Sequence, residues 1–416
     1  MFKAPRGTAD ILSGEQPYWR YVVAKAEELC CLYGYERIDT PTFEDTGVFE
    51  RTNPGTDIVE KEMYTFEDRG GNLMTLRPEG TAPVCRAYIE HGMHSLPQPV
   101  KLYYFASIFR YERPQAGRYR EHHQFGLEAL GDGDPAVDAE VIDLAWQLCA
   151  RLGLRNLSLI INSIGDPTCR PAYIEVLRAY YADKVDRLCP DCRQRLVRNP
   201  LRLLDCKEPT CRPVAEAAPR SIDHLCAECR EHFERLETYL NALGLPYIIS
   251  HRLVRGLDYY TRTVFEIQPQ EEGAQNTIAA GGRYDGLIEQ LGGRPTPGIG
   301  FATGIERLVL NLKRQSVPVP EERRPEVYVA YLGDEAKEVA VKVTATLRQG
   351  GLQAVMSFGG RSLKAQMRHA NSLNAGKVIV IGEEELRTGL AQVRDMATGE
   401  QRAILMPELV HELRRS

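Results

Sequence analysis

The sequence predicts an α+β domain built on an antiparallel sheet, interrupted by a helical insertion and followed by a small C-terminal α/β domain. Three observations carry this expectation. Two strand-like runs between Val100 and Leu130 flank a long polar stretch, the pattern of an antiparallel pair with an extended connection. Residues 170 to 245 change character, with clustered cysteines, crowded arginines and helical periodicity. Beyond Lys313 to Pro325, a polar stretch with three prolines, short apolar strands alternate with helical patterns.

The elements follow in chain order. Pro5 to Asp10 is turn-rich, and Gln16 to Leu32 places Tyr18, Val22, Ala26 and Leu29 at helical spacing. Tyr35 to Pro41 reads as an extended segment, because Pro41 lacks a backbone donor and suits a strand end or edge. The insertion shows a helix at His232 to Leu243, and strands resume at Tyr247 to His251 and Val264 to Ile267 before the glycine-rich Ala280 to Gly286. After the linker, Val327 to Tyr331, Ala354 to Met356 and Val378 to Ile381 read as strands of a mostly parallel sheet. Helices fall between them at Ala336 to Arg348 and Leu363 to Ala370. The expected domains are 1–320, with the insertion at about 170–245, and 325–416.

Bulk properties bound the function. The 416 residues fit two or three domains of about 100 to 200 each. No apolar run approaches the roughly 20 residues of a membrane span and no basic apolar leader opens the chain, so a cytoplasmic location with no membrane partner is expected. A net charge of -5 gives no global attraction to nucleic acid, which leaves that task to local basic patches. Eleven cysteines without a secretion signal point to reduced thiols or metal ligation rather than disulfides.

The chemistry is concentrated around the expected hairpin. Arg110, Glu112, Arg113, Arg118 and Arg120 lie close to Gln124 and Glu128, more charge than a packed core could hold unpaired. Guanidinium groups grip phosphate oxygens bidentately, so a polyanion such as ATP is the expected partner; a solvated, ion-paired hairpin tip is the alternative. Along the second strand Gln124, Gly126 and Glu128 share one face, while Phe125, Leu127 and Ala129 share the core face. The polar face suits a small polar substrate, with Gly126 leaving room for it.

Phe109 to Gln115, continuing through Gly117 to Arg120, resembles motif 2 of histidyl-tRNA synthetases, which belong to the class II type. Gly298 to Arg307 resembles motif 3, and Pro41 in its extended context resembles motif 1, the dimer-interface element. Leu253-Val254-Arg255-Gly256-Leu257-Asp258-Tyr259-Tyr260-Thr261 and Ala280 to Asp285 resemble the histidine-specific signatures of the family, and Leu76 to Thr81 its amino-group segment. The resemblance spans nearly the whole chain. It implies a class II catalytic domain and a C-terminal anticodon-binding domain, acting as a homodimer on ATP, Mg²⁺, L-histidine and tRNA(His).

Residue by residue, the resemblance implies that Arg110 and Arg255 are catalytic, at the α-phosphate. Glu79, Gly80, Thr81, Arg110, Gln124, Glu128, Arg255, Tyr259 and Tyr260 would bind histidine, with Glu79 on its amine and Tyr260 and Glu128 on its imidazole. Arg110, Glu112, Arg113, Arg118 and Arg307 would bind ATP, and Arg113 and Gln115 would approach the extra 5′ guanosine of the tRNA. Relatives usually place an aromatic such as Phe where His122 stands, and an imidazole can also stack on adenine. Polar readout of the ring would reject analogues without an editing domain, and the sequence shows no recognisable one. The rival readings are a catalytically silent regulatory paralogue that binds a histidine-biosynthesis enzyme, and a tRNA-binding module without synthesis.

Cys189-x2-Cys192, Cys206-x4-Cys211 and Cys226-x2-Cys229 have spacings compatible with tetrahedral zinc, the two CxxC pairs being the better partners. Reduced, partly buried thiols are the alternative, and no metal ligand is assigned. Arg195, Arg198 and Arg202 suit either the tRNA acceptor stem or a solvated helix face.

Overall fold

A computed structural model describes residues 2–52, 56, 58–112, 119–270, 277–321 and 324–415. The chain divides into two units, Met1–Pro320 and Glu321–Ser416.

The first unit is organised by an eight-stranded sheet. Its strands run in the order Glu36–Arg37, Val100–Phe109, Glu121–Leu130, Gly298–Gly304, Ala279–Arg283, Thr261–Pro269, Leu157–Ser163 and Tyr247–Ile249. All neighbours are antiparallel except the two edge pairings, which are parallel. The hairpin Val100–Phe109 with Glu121–Leu130 is therefore the expected one. Of the extended segment Tyr35 to Pro41, Glu36–Arg37 pairs as an edge strand, and the Ile38 N–H adds a bond to Tyr103 O. A second, three-stranded sheet of Phe43–Asp45, Leu73–Leu76 and Tyr64–Glu67 was not expected, because strands of three or four residues carry too few positions for a clear alternation.

The helix Gln16–Leu32 buries Val22, Ala26, Leu29 and Cys30 on one face, and Pro17 in its first turn lacks only an N–H that would have no intrahelical partner. This face packs into a core shared with helix Pro135–Arg151, helix Ala227–Ala242 and the sheet face bearing Phe125, Leu127 and Ala129. The opposite sheet face meets a second core containing Val84, Tyr104 and Tyr284 and the segment 173–218. Glu121–Leu130 is thus buried on both faces over its second half.

Between residues 170 and 245 the chain is helical, with Arg170–Ala182, Pro190–Arg198, Arg212–Glu216 and Ala227–Ala242 as its α-helices. The cysteine pairing expected from the two CxxC segments is overturned. Cys189 and Cys192 meet Cys206 and Cys211, whereas Cys226 and Cys229 meet Asp166 and Cys169. The cause is packing: Cys192, Cys206 and Cys211 belong to the core on one side of the sheet, and Cys229 and Cys169 to the core on the other.

In the second unit, Ala354–Met356, Val327–Tyr331 and Lys377–Ile381 form the expected parallel strands. The sheet then continues antiparallel through Leu390–Asp395 and Gln401–Leu405, two strands missing from the expectation. Ala391 and Val393 are the only two inward positions of the first, a short alternation that turn-like neighbours mask. Helices Asp334–Gln349 and Leu363–Ser372 cover the sheet.

Candidate active site

A cavity of about 330 Å³ opens over the first unit's sheet. Its floor is built by register. Glu128 stands opposite Gly300, Gly126 opposite Ala302, and Ala302 opposite Ala280, so small residues cross three adjacent strands at one level. Ala280, Ala302 and Gly304 line the cavity.

Glu128 lies beneath this floor, 1% exposed, and does not line the cavity. Its carboxylate accepts hydrogen bonds from Thr81 Oγ1 at 2.8 Å, from Tyr104 OH at 3.3 Å and from Tyr284 OH. Burial pushes its carboxyl up to about 8, with the Glu79 charge adding to the shift and the three hydroxyls opposing it. Two glycines make this packing feasible. A Cβ at Gly300 would stand 1.9 Å from Glu128 Oε2, and one at Gly126 would stand 2.4 Å from the Tyr104 ring. The room at Gly126, expected to admit substrate, is taken by Tyr104, because strand Val100–Phe109 places that side chain directly opposite.

Glu79 is also buried and lines the cavity, yet its oxygens already accept from the backbone N–H of Thr81, at 2.6 Å, and of Ala82, at 2.9 Å. It thereby satisfies two orphan donors at the start of helix Thr81–Glu90. Burial raises its carboxyl, against these two N–H bonds and the nearby Arg110 charge. Gly80 and Thr81 line the same wall.

Among the described residues, three guanidinium groups face the cavity. Arg110 is anchored by an Nε bond to Pro78 O at 2.7 Å and stands 3.9 Å from Glu112. Arg307, at the start of the helix that follows Gly298–Gly304, donates to Thr277 O at 2.8 Å. Arg255 donates to Glu266 Oε1 at 2.6 Å and lies over the Tyr260 ring at 5.5 Å, while its buried Nε has no acceptor among the described residues. A buried charged donor left unpaired is costly, so this atom is suited to a ligand anion. Glu112 lines the cavity beside Arg110, and a carboxylate there offers the hard oxygen chemistry that Mg²⁺ takes alongside phosphate. Arg113, Gln115 and Arg118 lie outside the described residues.

His122 lines the cavity with Gln124. Burial, then the Arg110, Arg307 and His123 charges, push its imidazole down to about 3, so the ring is neutral at physiological pH and can present an aromatic face. Gln124 Nε2 is 3.4 Å from His122 Nε2.

The segment Leu253 to Thr261 has no regular secondary structure of its own before the strand begins at Thr261, and is held by its neighbours. Asn162 donates to Leu253 O, Arg170 to Tyr260 O at 2.6 Å, and Asn199 to Asp258 at 2.7 Å. Tyr259 and Tyr260 pack with ring centroids 4.9 Å apart, and both line the cavity. The other signature, Ala280 to Asp285, divides. Ala280 belongs to the floor, whereas Arg283 is fully buried and braces Asp138, Asp285 and the carbonyls of Asp132 and Asp134.

Several residues of the site escaped sequence reasoning. Tyr104 supplies part of the wall and could have been found from its register opposite Gly126. Glu266, which also accepts from Gln268 and Thr277, positions Arg255. Glu306 accepts from both the backbone N–H and Nδ1 of His123, pinning the helix of Arg307 to the hairpin strand. No local pattern marks either carboxylate.

The family described as histidyl-tRNA synthetase matches residues 7–308, and that described as anticodon binding domain matches 326–416. A histidine--tRNA ligase of Dehalococcoides mccartyi is 56% identical over 100% of both chains. One of Desulforamulus reducens is 53% identical over 98% of this chain and 97% of its own. The crystal structure of apo S. aureus histidyl-tRNA synthetase has 41% identity and a TM-score of 0.84, covering 99% of this chain and 100% of that one.

Proposed function

Because the chain belongs to the histidyl-tRNA synthetase family and ligates histidine to tRNA with ATP, we propose that the cavity over the sheet is where both of its reaction steps occur. One observation carries the reading: Arg110, Arg255 and Arg307 converge on a cavity walled by Tyr259 and Tyr260 and floored by small residues. The histidine carboxylate oxygen attacks the α-phosphorus, pyrophosphate leaves, and a terminal tRNA hydroxyl then attacks the activated carbonyl and releases AMP. Arg110 and Arg255 hold the α-phosphate as charge builds on it, and Arg113 and Arg307 hold the outer phosphates, with Arg118 assisting. Glu112 would hold Mg²⁺, which would supply further neutralisation of phosphate charge. Glu79 faces the substrate ammonium, and His122 offers its neutral ring to adenine. The direct test is pyrophosphate exchange with each of the twenty amino acids in turn: exchange should depend on histidine, and exchange driven equally by another amino acid overturns the assignment.

The imidazole is read by Tyr260 and, from below the floor, by Glu128. Glu128→Gln is expected to raise KM for histidine by about tenfold or more, the worth of one buried hydrogen bond, with a smaller effect on KM for ATP. Equal losses in the two titrations would remove Glu128 from histidine recognition. A second readout comes from linkage. A carboxyl raised from 4.5 to about 8 contributes stability that is whole below 4.5 and is lost as pH rises through 8. The stability of the wild type relative to Glu128→Gln should therefore fall across that interval, as thermal melts at a series of pH values would record.

Arg113 and Gln115 approach the 5′ guanosine of tRNA(His), and the C-terminal unit, similar to anticodon-binding domains, reads the other end. Arg195, Arg198 and Arg202 face the acceptor stem; of these Arg198 and Arg202 have modest ion pairs with Glu60 and Asp205. Charging that is unchanged when the guanosine is swapped would refute the first contact. The working form is a cytoplasmic homodimer. Phe43 and Phe66, packed edge to face at 6.3 Å, and Leu73 are exposed on the three-stranded sheet, next to the motif 1 segment that a second copy would cover. No helix among the described residues is long and apolar enough to cross a membrane. The regulatory alternative is set aside, since relatives matched over the full chain are histidine--tRNA ligases.

A further inference from the structure

We propose that Cys189, Cys192, Cys206 and Cys211 form a tetrathiolate site for one Zn²⁺ ion, which fixes the part of the insertion that backs the histidine loop. The four sulfurs lie within 4.8 Å of one another, and Cys189 Sγ is 3.9 Å from Cys206 Sγ. A tetrahedral ion with Zn–S bonds of about 2.3 Å places its sulfurs about 3.8 Å apart, so the cluster needs little rearrangement to close on a single ion. The separation is far beyond a disulfide bond of about 2.0 Å, and all four thiols are free. An iron–sulfur cluster needs its ligands spread around several metal atoms, which this spacing does not provide.

Within the core on that side of the sheet, the four sulfurs face one another and two of them accept from backbone N–H groups. Cys192 and Cys211 are fully buried and Cys206 nearly so, while the backbone N–H of Cys189 donates to Cys211 Sγ at 3.1 Å and that of Cys192 to Cys189 Sγ at 3.4 Å. Such N–H donors stabilise thiolate charge. Binding forms four Zn–S bonds and releases four thiol protons to solvent, leaving a net charge of -2 on the site. Cys189 caps helix Pro190–Arg198, and the turn Pro200–Leu203 lies between the two cysteine pairs. Asn199, at the start of that turn, donates to Asp258 of the histidine loop, and Gly256 of the same loop lies against Arg202. The ion would thus clamp the ends of the segment on which Arg255 to Tyr260 rests.

The test is metal analysis of the full chain expressed with zinc supplied, beside Cys192→Ser/Cys206→Ser. The variant should carry one equivalent of zinc fewer per chain than the wild type. Wild-type chain without zinc, or a variant that keeps all of it, overturns the proposal. Should the variant not fold, Cys226→Ser/Cys229→Ser, which leaves only this tetrathiolate intact, is loaded with Co²⁺. Intense sulfur-to-cobalt charge transfer with tetrahedral d–d bands is expected, and a spectrum lacking them also overturns the site. Removing zinc from the wild type with a chelator should lower its melting temperature and raise KM for histidine more than KM for ATP.

Discussion

Arg255→Ala is expected to reduce histidine-dependent pyrophosphate exchange by roughly 10²–10³-fold or more, the scale of losing one preorganised donor to transition-state charge. The expectation rests on where the guanidinium sits. Its Nη1 is held by Glu266 at 2.6 Å, and its buried Nε has no acceptor among the described residues, so a charged donor is oriented before any ligand arrives. The tolerance of the fold is expected from the same neighbourhood. Glu266 keeps bonds from Gln268 Nε2 at 2.6 Å and Thr277 Oγ1 at 2.9 Å, so losing Arg255 does not strand it. Exchange rates measured beside circular dichroism and a melting curve decide the matter: near-normal exchange by a folded variant would sink the catalytic role. Lysine should rescue little, because a point charge cannot bond Glu266 and a ligand oxygen from one rigid fork.

The second large effect concerns stability. Arg283→Met is expected to destabilise the first unit by about 3–5 kcal/mol, the usual result of stripping one partner from a buried ion pair. Arg283 and Asp138 are both fully buried, joined at 2.8 and 2.6 Å, and Asp138 also accepts from His232 at 2.8 Å. Burial alone would raise the Asp138 carboxyl, but the Arg283 charge and the His232 hydrogen bond outweigh it and hold the group below its ordinary range. Without Arg283 the Asp138 carboxylate would keep, of these two partners, His232 alone. Both tryptophans, Trp19 and Trp146, lie in this unit, so urea unfolding followed by tryptophan fluorescence isolates its transition. A loss below about 1 kcal/mol would contradict the reading. The double variant Arg283→Met/Asp138→Leu should recover part of the loss, since it removes the stranded charge.

These two arginines show what local sequence can and cannot distinguish. Both sit in short signatures with glycine and tyrosine neighbours, yet one faces the cavity and the other braces the core. Arg255 lies on a loop, where Glu266 holds it, whereas Arg283 ends strand Ala279–Arg283 at a shift of register with Thr261–Pro269, and its side chain meets Asp138 and Asp285. Glu79 and Glu128 make the same point. Both are buried carboxylates beside the cavity, but only the tertiary structure gives Glu79 a helix start to cap and places Glu128 under the floor, ringed by hydroxyls from three separate segments.

By itself the sequence determined what depends on neighbours a few residues away. The 3.6-residue spacing in Gln16–Leu32, the paired runs about the arginine-rich connection and the alternation along Glu121–Leu130 each state a local period, and a local period survives without knowledge of its partner. The motifs that carry the family resemblance are equally local. Tertiary structure alone decided which elements meet. It brought Gly300 opposite Glu128, filled the space over Gly126 with Tyr104, and divided the six expected zinc thiols between two cores. Those outcomes depend on strand register and on which side of the sheet each helix packs, and both are fixed by burial summed over the whole domain rather than by any short stretch of chain.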